Sequence, residues 1–371
     1  MAVALLDLRA QHASVGDDTV AAMMRVVDDQ TFILGEPVEK FEEAVAALSN
    51  TRFAIGCANG TDALLLSLRA LGVQHGDEIV TTPFTFFATA GAIHNVGARP
   101  VFADIDPDTF NISPQAAAAA VTQRTKAVIP VDLFGQLAAI DAIAAAIPDL
   151  PIIEDAAQSI GATRMIGDRV IHAGEAAAMG TFSFFPSKNL GGFGDGGMIV
   201  TQDEALAQRL RRLRVHGGLK TYFHEEVGYN SRLDALQAAV LLAKLPNLEQ
   251  WSAARRRNAE YYDRAFARMS DVRTPVIDPA NVSIYNQYTL RVERRDALQA
   301  HLRSKDIGNS IYYPLPLHLQ PCIAYLGYSE GAFPESERAA KEVISLPVYP
   351  ELEPSQLDEV IDAVRGFYGN R

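Results

Sequence analysis

With 371 residues, of which 48% are hydrophobic and 21% charged, the chain suits a folded large domain with a smaller companion. The net charge of −12 excludes the basic surface of a nucleic-acid binder, and two cysteines, Cys57 and Cys322, without metal-ligand spacing predict neither disulfides nor a metal site. No run approaches the roughly 18 apolar residues of a membrane span, and a signal-peptide pattern is lacking, so we expect a cytoplasmic protein without a membrane partner.

The first predicted element is an amphipathic helix beginning near residue 36. Val38, Phe41, Val45 and Leu48 recur at helical spacing behind Glu36-Pro37, a sequence typical of a helix start. We expect this helix to pack on the flank of the large domain.

Residues 50–200 alternate short apolar runs with segments of helix length. This pattern is typical of βαβ units, in which helices cover both faces of a mostly parallel sheet. The predicted strands are residues 52–57, 78–81, 99–103, 126–131, 151–154, 180–184 and 197–201. Seven strands suit one large domain.

In the last third of the chain, the sequence predicts two helices that connect the domains, followed by a small α+β domain. Helices are expected at 233–245 and 247–269, because Pro246 disfavours a helical conformation of the residue before it. The remaining predicted elements are strands at 284–292 and 310–313 and helices at 296–304 and 354–367. The sequence thus predicts a large domain over residues 1–245, including the N-terminal helices, and a small domain over 246–371.

One predicted strand ends in an acid, Asp155. In α/β proteins the carboxyl ends of the strands meet where ligands bind. A carboxylate there could keep a pyridine nitrogen protonated, which would make a bound cofactor an electron sink. Taken alone, an acid at a strand end more often caps a helix or forms a salt bridge.

Lys188 lies between a predicted buried strand and a turn with five glycines at 191–197. A lysine withdrawn from water can lose its proton and attack an aldehyde to form a Schiff base. The alternative is a solvated loop lysine, the commoner fate of lysines. An exposed lysine, however, would not need the close backbone approach that the glycines permit.

A third motif, residues 57–65, turns from a strand through Asn59-Gly60 into an amphipathic helix. The N-terminus of a helix attracts phosphate through free N–H groups, and Thr61 and Ser183 would add hydroxyl donors. The competing interpretation is simple capping of the helix by Asn59 or Thr61.

These motifs stand in the order and spacing of the DegT/DnrJ/EryC1/StrS sugar aminotransferases, which the chain resembles over nearly its whole length. Seven collinear segments carry the resemblance: 32–35, 59–64, 83–89, 154–158, 183–191, 228–234 and 312–318. The resemblance implies an α/β protein of the pyridoxal-phosphate (PLP)-dependent transferase fold type I, like aspartate aminotransferase, with a large, mostly parallel seven-stranded sheet domain and a small α+β C-terminal domain.

The resemblance also assigns cofactor residues. By similarity, Lys188 forms the Schiff base with PLP and shuttles the substrate proton, and Asp155 pairs with the pyridine nitrogen. Gln158 would hydrogen-bond the ring hydroxyl and Phe86 would stack on the ring, although an apolar ring in such a run would otherwise be assigned to the core. The remaining cofactor positions are Gly60, Thr61 and Ser183 for the phosphate and Asn230, which relatives contribute from a second subunit.

For the nucleotide-sugar, the resemblance implies a homodimer with shared active sites. Arg232 would reach the partner's sugar-nucleotide, or else form a salt bridge with Asp234 at a helix start. Further substrate positions are Gln30, Phe32, Ser187, Tyr312 and Tyr313. Tyr313-Pro314 also fits a packed turn, and His318 more often lies in a loop than binds a ligand.

The resemblance further bears on the reaction. Lys188 stands where relatives that dehydrate sugars have histidine, and the glycine-aspartate pattern at 191–197 resembles members that aminate C3. Tyr312 replaces a histidine found in relatives acting on uronates, which favours an uncharged sugar. The leading expectation is L-glutamate-dependent amination of UDP-2-acetamido-3-keto-glucose for lipid A, lipopolysaccharide or surface polysaccharide, with the pyridoxamine phosphate form of the cofactor as intermediate.

The alternatives, in order, are a dTDP-3-keto-6-deoxyhexose, amination at C4, an enzyme acting on amino acids, and a non-catalytic regulatory protein. An enzyme acting on amino acids would need a fixed arginine for the α-carboxylate, and no motif places one securely. A non-catalytic regulatory protein would be expected to lose Lys188, Asp155, Thr61 or Ser183, and each of these residues is present.

Overall fold

The computed structural model describes residues 2–369 and contains thirteen strands and twelve α-helices in that part of the chain. The strands are β1 Phe53–Cys57, β2 Glu78–Thr81, β3 Arg99–Phe102, β4 Thr125–Ile129, β5 Ile153–Asp155, β6 Thr163–Ile166, β7 Arg169–His172, β8 Met179–Ser183, β9 Gly197–Thr201, β10 Val272–Arg273, β11 Asn281–Val282, β12 Tyr288–Val292 and β13 Val343–Leu346. The helices are α1 Leu8–Asp29, α2 Glu36–Leu48, α3 Gly60–Ala70, α4 Ala88–Asn95, α5 Pro114–Ala120, α6 Ile140–Ala146, α7 Glu204–Leu213, α8 Ala235–Lys244, α9 Leu248–Phe266, α10 Arg295–Ser304, α11 Pro334–Glu342 and α12 Pro354–Gly369.

The seven predicted strands of the large domain form one continuous sheet. Strands β1-β9-β8-β5 and β3-β2-β4 are joined by parallel bridges from Val128 to Ile152 and from Val131 to Asp155. The order is therefore β3-β2-β4-β5-β8-β9-β1, and only β9 runs antiparallel to its neighbours. The predicted mostly parallel sheet is confirmed. Its parallel strands all point their carboxyl ends to the same edge.

Helices cover both faces of this sheet because its strands are apolar on both sides. Strand β9 is buried at all five positions, as expected for a strand between two helical layers. On one face, α3, α4 and α7 pack against Ile55, Ile79 and Ile199. On the other, α2 buries the predicted stripe, and the Phe41 ring meets Phe184 edge-on at a centroid distance of 5.1 Å.

The small domain has its own core around the antiparallel sheet β10-β12-β13. Helices α9, α10 and α12 cover it, with Tyr262 and Tyr288 fully buried. The strand predicted at 284–292 begins only at residue 288. The strand predicted at 310–313 is limited to a single bridge from Ser310 to Ser345, because the chain then turns through a proline-rich segment toward the large domain.

Each domain includes a short segment from the part of the chain that mainly forms the other domain. Val3 is fully buried in the small-domain core and pairs with Ile307 before α1 returns the chain to the large domain. Strand β11 pairs with β6, so residues 281–282 join the large domain. The division at residue 245 stays a prediction. Within residues 2–369, no helix is long and apolar enough to cross a membrane, and no cluster of histidine, cysteine and acidic side chains is arranged to hold a metal ion.

Candidate active site

A cavity of about 870 Å³ opens at the carboxyl edge of the large sheet. Residues of the small domain line its other side. Loops that follow β1, β2, β5 and β8 form most of its wall. Ten of the predicted site residues line it: Gly60, Thr61, Phe86, Asp155, Gln158, Ser183, Ser187, Lys188, Tyr312 and Tyr313. Parallel topology explains the convergence, because each of these strands delivers its next residues to the same edge.

Lys188 faces the cavity from the loop after β8. Burial lowers the pKa of its ammonium group to about 8, and the negative charge of Asp155 opposes that shift. The loop is compact: Lys188 N donates to Phe185 O at 2.8 Å, and a Cβ on Gly191 would stand 2.2 Å from Pro186 O. The glycines therefore serve the close packing that holds a largely desolvated amine, a nucleophile near neutral pH.

Asp155 ends strand β5 with a buried carboxylate. Thr89 Oγ1 donates to Asp155 Oδ2 at 2.8 Å, and Ala157 N donates to Oδ1 at 3.4 Å. Burial raises the pKa of Asp155, while these two donors and Lys188 partly offset the rise. A cationic ring nitrogen beside it would favour the charged form further. Thr89 lies within segment 83–89, but the sequence did not single it out.

Gln158 has a fixed amide orientation. Its Oε1 accepts from Phe134 N at 2.7 Å, so Nε2 is the donor, and it reaches the Tyr313 hydroxyl at 3.2 Å. The Gln158 amide therefore presents an N–H to the cavity, which suits a phenolate-like ring oxygen. Phe86 lies across the cavity and is 59% exposed, so it is a wall residue, not part of the core.

The start of α3 forms a cradle with Ser183. Asn59 Oδ1 accepts from Asp62 N at 2.8 Å, so the capping interpretation of Asn59 is correct and leaves Gly60 and Thr61 facing the cavity. A Cβ on Gly60 would stand 2.7 Å from Ser183 Cβ. Only glycine allows this helix terminus to approach β8 so closely. The cradle combines the helix N-terminus with two hydroxyls, the donor set for phosphate.

Together these groups fit PLP. A desolvated amine suits its aldehyde, a buried carboxylate its ring nitrogen, an amide N–H its ring hydroxyl and a helix N-terminus its phosphate. All four groups line one cavity, which supports the assignment.

Four predicted residues do not line this cavity in the single chain: Gln30, Phe32, Asn230 and Arg232. They come from two neighbouring segments, because Ile33 pairs with Asp234 and Ala235 N donates to Phe32 O at 3.1 Å. Within residues 2–369, Arg232 forms no salt bridge with Asp234.

The lining residues that the sequence did not single out include, besides Thr89, the polar side chains of Asp62, Asp195, Asn286 and Gln287. Asn286 Nδ2 donates to Asn189 Oδ1 at 2.8 Å, which ties the small domain to the lysine loop. His318 lies elsewhere, buried with its Nε2 3.0 Å from Glu337 Oε1, as expected of a non-ligand histidine. Lys188 is the one cationic residue among those lining the described cavity, which also holds Asp62, Asp155 and Asp195.

The profile of the DegT/DnrJ/EryC1/StrS aminotransferase family matches residues 14–365. The chain is 49% identical to a "pleiotropic regulatory protein" of Geobacillus stearothermophilus, covering 99% of both chains. It is 42% identical to the UDP-2-acetamido-2-deoxy-3-oxo-D-glucuronate aminotransferase of Pseudomonas aeruginosa, covering 98% of this chain and 99% of the relative.

Two further matches are similar in extent. The UDP-N-acetyl-3-dehydro-α-D-glucosamine 3-aminotransferase of Acidithiobacillus ferrooxidans is 42% identical, with 98% of this chain and 97% of the relative covered. The crystal structure of DesV from S. venezuelae, in complex with a ketimine intermediate, superposes with a TM-score of 0.96 at 40% identity, covering 99% of this chain and 98% of that one.

Proposed function

Because the chain belongs to the DegT/DnrJ/EryC1/StrS aminotransferase family, we propose that its cavity binds PLP and that it transfers an amino group to C3 of a nucleotide-linked keto-sugar. The chain has the type I fold of PLP-dependent transferases and is a nucleotide-sugar aminotransferase. The observation that carries the proposed binding of PLP is the convergence of Lys188, Asp155 and the Gly60–Ser183 cradle on one cavity. Amination at C3 is supported by the two relatives whose names specify a 3-keto sugar.

Each of the predicted cofactor residues that line the cavity has a separate role in the proposed reaction. When bound, PLP supplies an electron-withdrawing ring that stabilises negative charge on the carbon losing a proton. Lys188 Nζ would hold the cofactor and, once released, would be the group that moves the substrate proton. Asp155 would keep the ring nitrogen protonated, and Gln158 Nε2 would donate to the ring hydroxyl. Phe86 would cover the ring and exclude water from it.

Charge in the cavity favours an uncharged sugar. Asp62, Asp155 and Asp195 are its acidic groups. Tyr312, a neutral side chain, occupies the position to which the family resemblance assigns a histidine in relatives that act on uronates. A sugar carboxylate would add a further negative charge to a cavity lined by one lysine. We therefore rank UDP-2-acetamido-3-keto-glucose first, for a diamino sugar of lipid A, lipopolysaccharide or surface polysaccharide, and a dTDP-3-keto-6-deoxyhexose second.

Apart from Lys188, no cationic residue lines the described cavity, and a second copy of the chain would supply one for the sugar-nucleotide. Arg232 and Asn230, with Gln30 and Phe32 beside them, lie outside the cavity of their own chain. Individual apolar side chains in these segments are exposed, among them Ile33 at 56% and, in the loop at 217–229 that leads to Asn230, Tyr222 at 91%. Apolar side chains that form one contiguous exposed patch favour a protein interface. We propose a homodimer in which this surface completes the partner's site for the sugar-nucleotide.

The substrate is tested by half-reactions. L-Glutamate, the proposed donor, first converts the PLP-loaded protein to its pyridoxamine form. UDP- and dTDP-linked 3-keto and 4-keto sugars are then added separately while the visible absorbance of the PLP form is followed. We expect a UDP-3-keto-N-acetyl sugar to restore it fastest. A faster 4-keto sugar would refute amination at C3, and a faster dTDP-sugar would reverse our ranking.

The same assay tests the regulatory alternative suggested by the name of the Geobacillus relative. Such a protein would show no half-reaction with any sugar. Lys188→Ala is the matched control, because it removes the amine while the phosphate cradle stays intact. A visible band that disappears in this variant, together with turnover in the unmodified protein, argues against a purely regulatory role.

A further inference from the structure

Two acidic side chains lie directly behind Asp155, outside the cavity wall. Asp132 follows β4 and Glu154 precedes Asp155 on β5, and both are at most 1% exposed. Because Val131 pairs with Asp155, the adjacent positions Asp132 and Glu154 lie on the same face of the sheet, and hydrogen bonding between their carboxyl groups contributes to the pKa shift of each. Two carboxylates can approach in this way only if one of them holds a proton, because an ionised carboxylate is an acceptor alone.

The surrounding donors show which group is ionised. Ala138 N donates to Asp132 Oδ1 at 2.8 Å, and Ser159 Oγ donates to Asp132 Oδ2 at 2.7 Å, so both oxygens accept. Glu154 Oε1 is buried without a donor among the described residues, and the backbone N–H of Gly174 is the single donor that favours the charged form of Glu154, against two for Asp132. Asp132 is therefore the carboxylate and Glu154 the acid that donates to it. Burial raises the pKa of Glu154 well above its usual value and that of Asp132 to about 6, in keeping with one shared proton at neutral pH.

Asp132 connects this pair to the cofactor residues. Its backbone N–H donates to Asp155 O at 3.0 Å, and its side chain accepts from Ser159, the residue after Gln158. Asp132 therefore hydrogen-bonds to both ends of the short turn 155–159. A displacement of Asp132 would move the carboxylate and the amide that face the ring together.

We propose that Asp132 and Glu154 share one proton and form a positioning unit that fixes Asp155 and Gln158 against the cofactor ring. This inference rests on the proposed binding of PLP in the cavity. The unit also keeps a single negative charge behind Asp155. That charge favours a protonated ring nitrogen on the other side of Asp155, whereas a second ionised carboxyl would be costly in so buried a place.

The test begins with the unmodified full-length protein. Its titration with PLP, followed by visible absorbance, must show binding; failure here would refute the proposed function itself. The proton is then sought by infrared spectroscopy in heavy water at about pH 8. We expect a protonated carboxyl band that is lost in Glu154→Gln. Absence of this band from the unmodified protein would overturn the shared proton.

Two variants then separate positioning from general stability. Glu154→Gln keeps a permanent donor to Asp132, so PLP affinity should stay within about threefold and the circular dichroism of bound PLP should not change. Asp132→Asn loses the charge and one acceptor, so affinity should fall at least tenfold and the dichroism should weaken. Equal damage in both variants would contradict our assignment of the proton.

A merely structural role would lower the melting temperature of Asp132→Asn and leave the dichroism of bound PLP unchanged, which would overturn the proposal. Should Asp132→Asn fail to fold, Ser159→Ala removes one donor to the same carboxylate. Its bound PLP should show weakened dichroism, and an unchanged spectrum would refute the positioning role.

Discussion

The pH dependence of cofactor capture by Lys188 provides a quantitative test of the site. Burial lowers the pKa of this amine from 10.5 to about 8. At pH 7 about 9% of the side chain is then neutral, against about 0.03% for a lysine with the usual pKa, a gain of about 300-fold in reactive amine. Because only the neutral amine attacks an aldehyde, this gain should appear directly in the rate of Schiff-base formation.

The assay is stopped-flow absorbance after cofactor-free protein is mixed with saturating PLP. The first-order rate should rise about fivefold from pH 7 to pH 8 and only about twofold more above pH 8, as the neutral fraction of Lys188 approaches one. Measurements are made from pH 7 upward, because the cofactor phosphate itself titrates near pH 6.

Asp155→Asn is the informative control. The charge of Asp155 raises the pKa of Lys188, so its removal should move the midpoint of the profile below pH 8. A rate that still climbs beyond pH 9 in the unmodified protein would refute the desolvation argument. A midpoint that moves to higher pH in Asp155→Asn would contradict the sign of the interaction.

Further tests concern the phosphate cradle and the support of Asp155. Gly60→Ala would place a Cβ 2.7 Å from Ser183 Cβ, so PLP should dissociate at least tenfold faster, whereas Gly366→Ala, with open space around the new methyl group, should not change dissociation. Thr89→Val removes a hydrogen bond that lowers the pKa of Asp155, so PLP affinity at neutral pH should fall several-fold and recover as pH rises and the carboxyl ionises. Thr89→Ser keeps the hydroxyl and should bind like the unmodified protein; equal loss in both variants would point to packing instead.

Much of the large domain follows from local sequence patterns. The seven apolar runs become seven strands with ends that differ from the predicted ones by at most two residues, and the stripe of Val38, Phe41 and Val45 is buried as expected. Period and turn residues are local properties, so neighbouring residues suffice to specify them. The predicted strand at 310–313 is wrong beyond Ser310, because the contact of Tyr312 and Tyr313 with the cavity prevails over their strand propensity.

The sequence by itself determined the chemistry: an amine before a glycine-rich turn, an acid at a strand end, and a helix start that suits phosphate. Only the tertiary structure decided what supports them. Thr89 meets Asp155 across 66 residues and Gln158 meets Tyr313 across 155, and Asp132 and Glu154 face each other from neighbouring strands. Such pairs leave no periodic signal, because they depend on how separate segments pack.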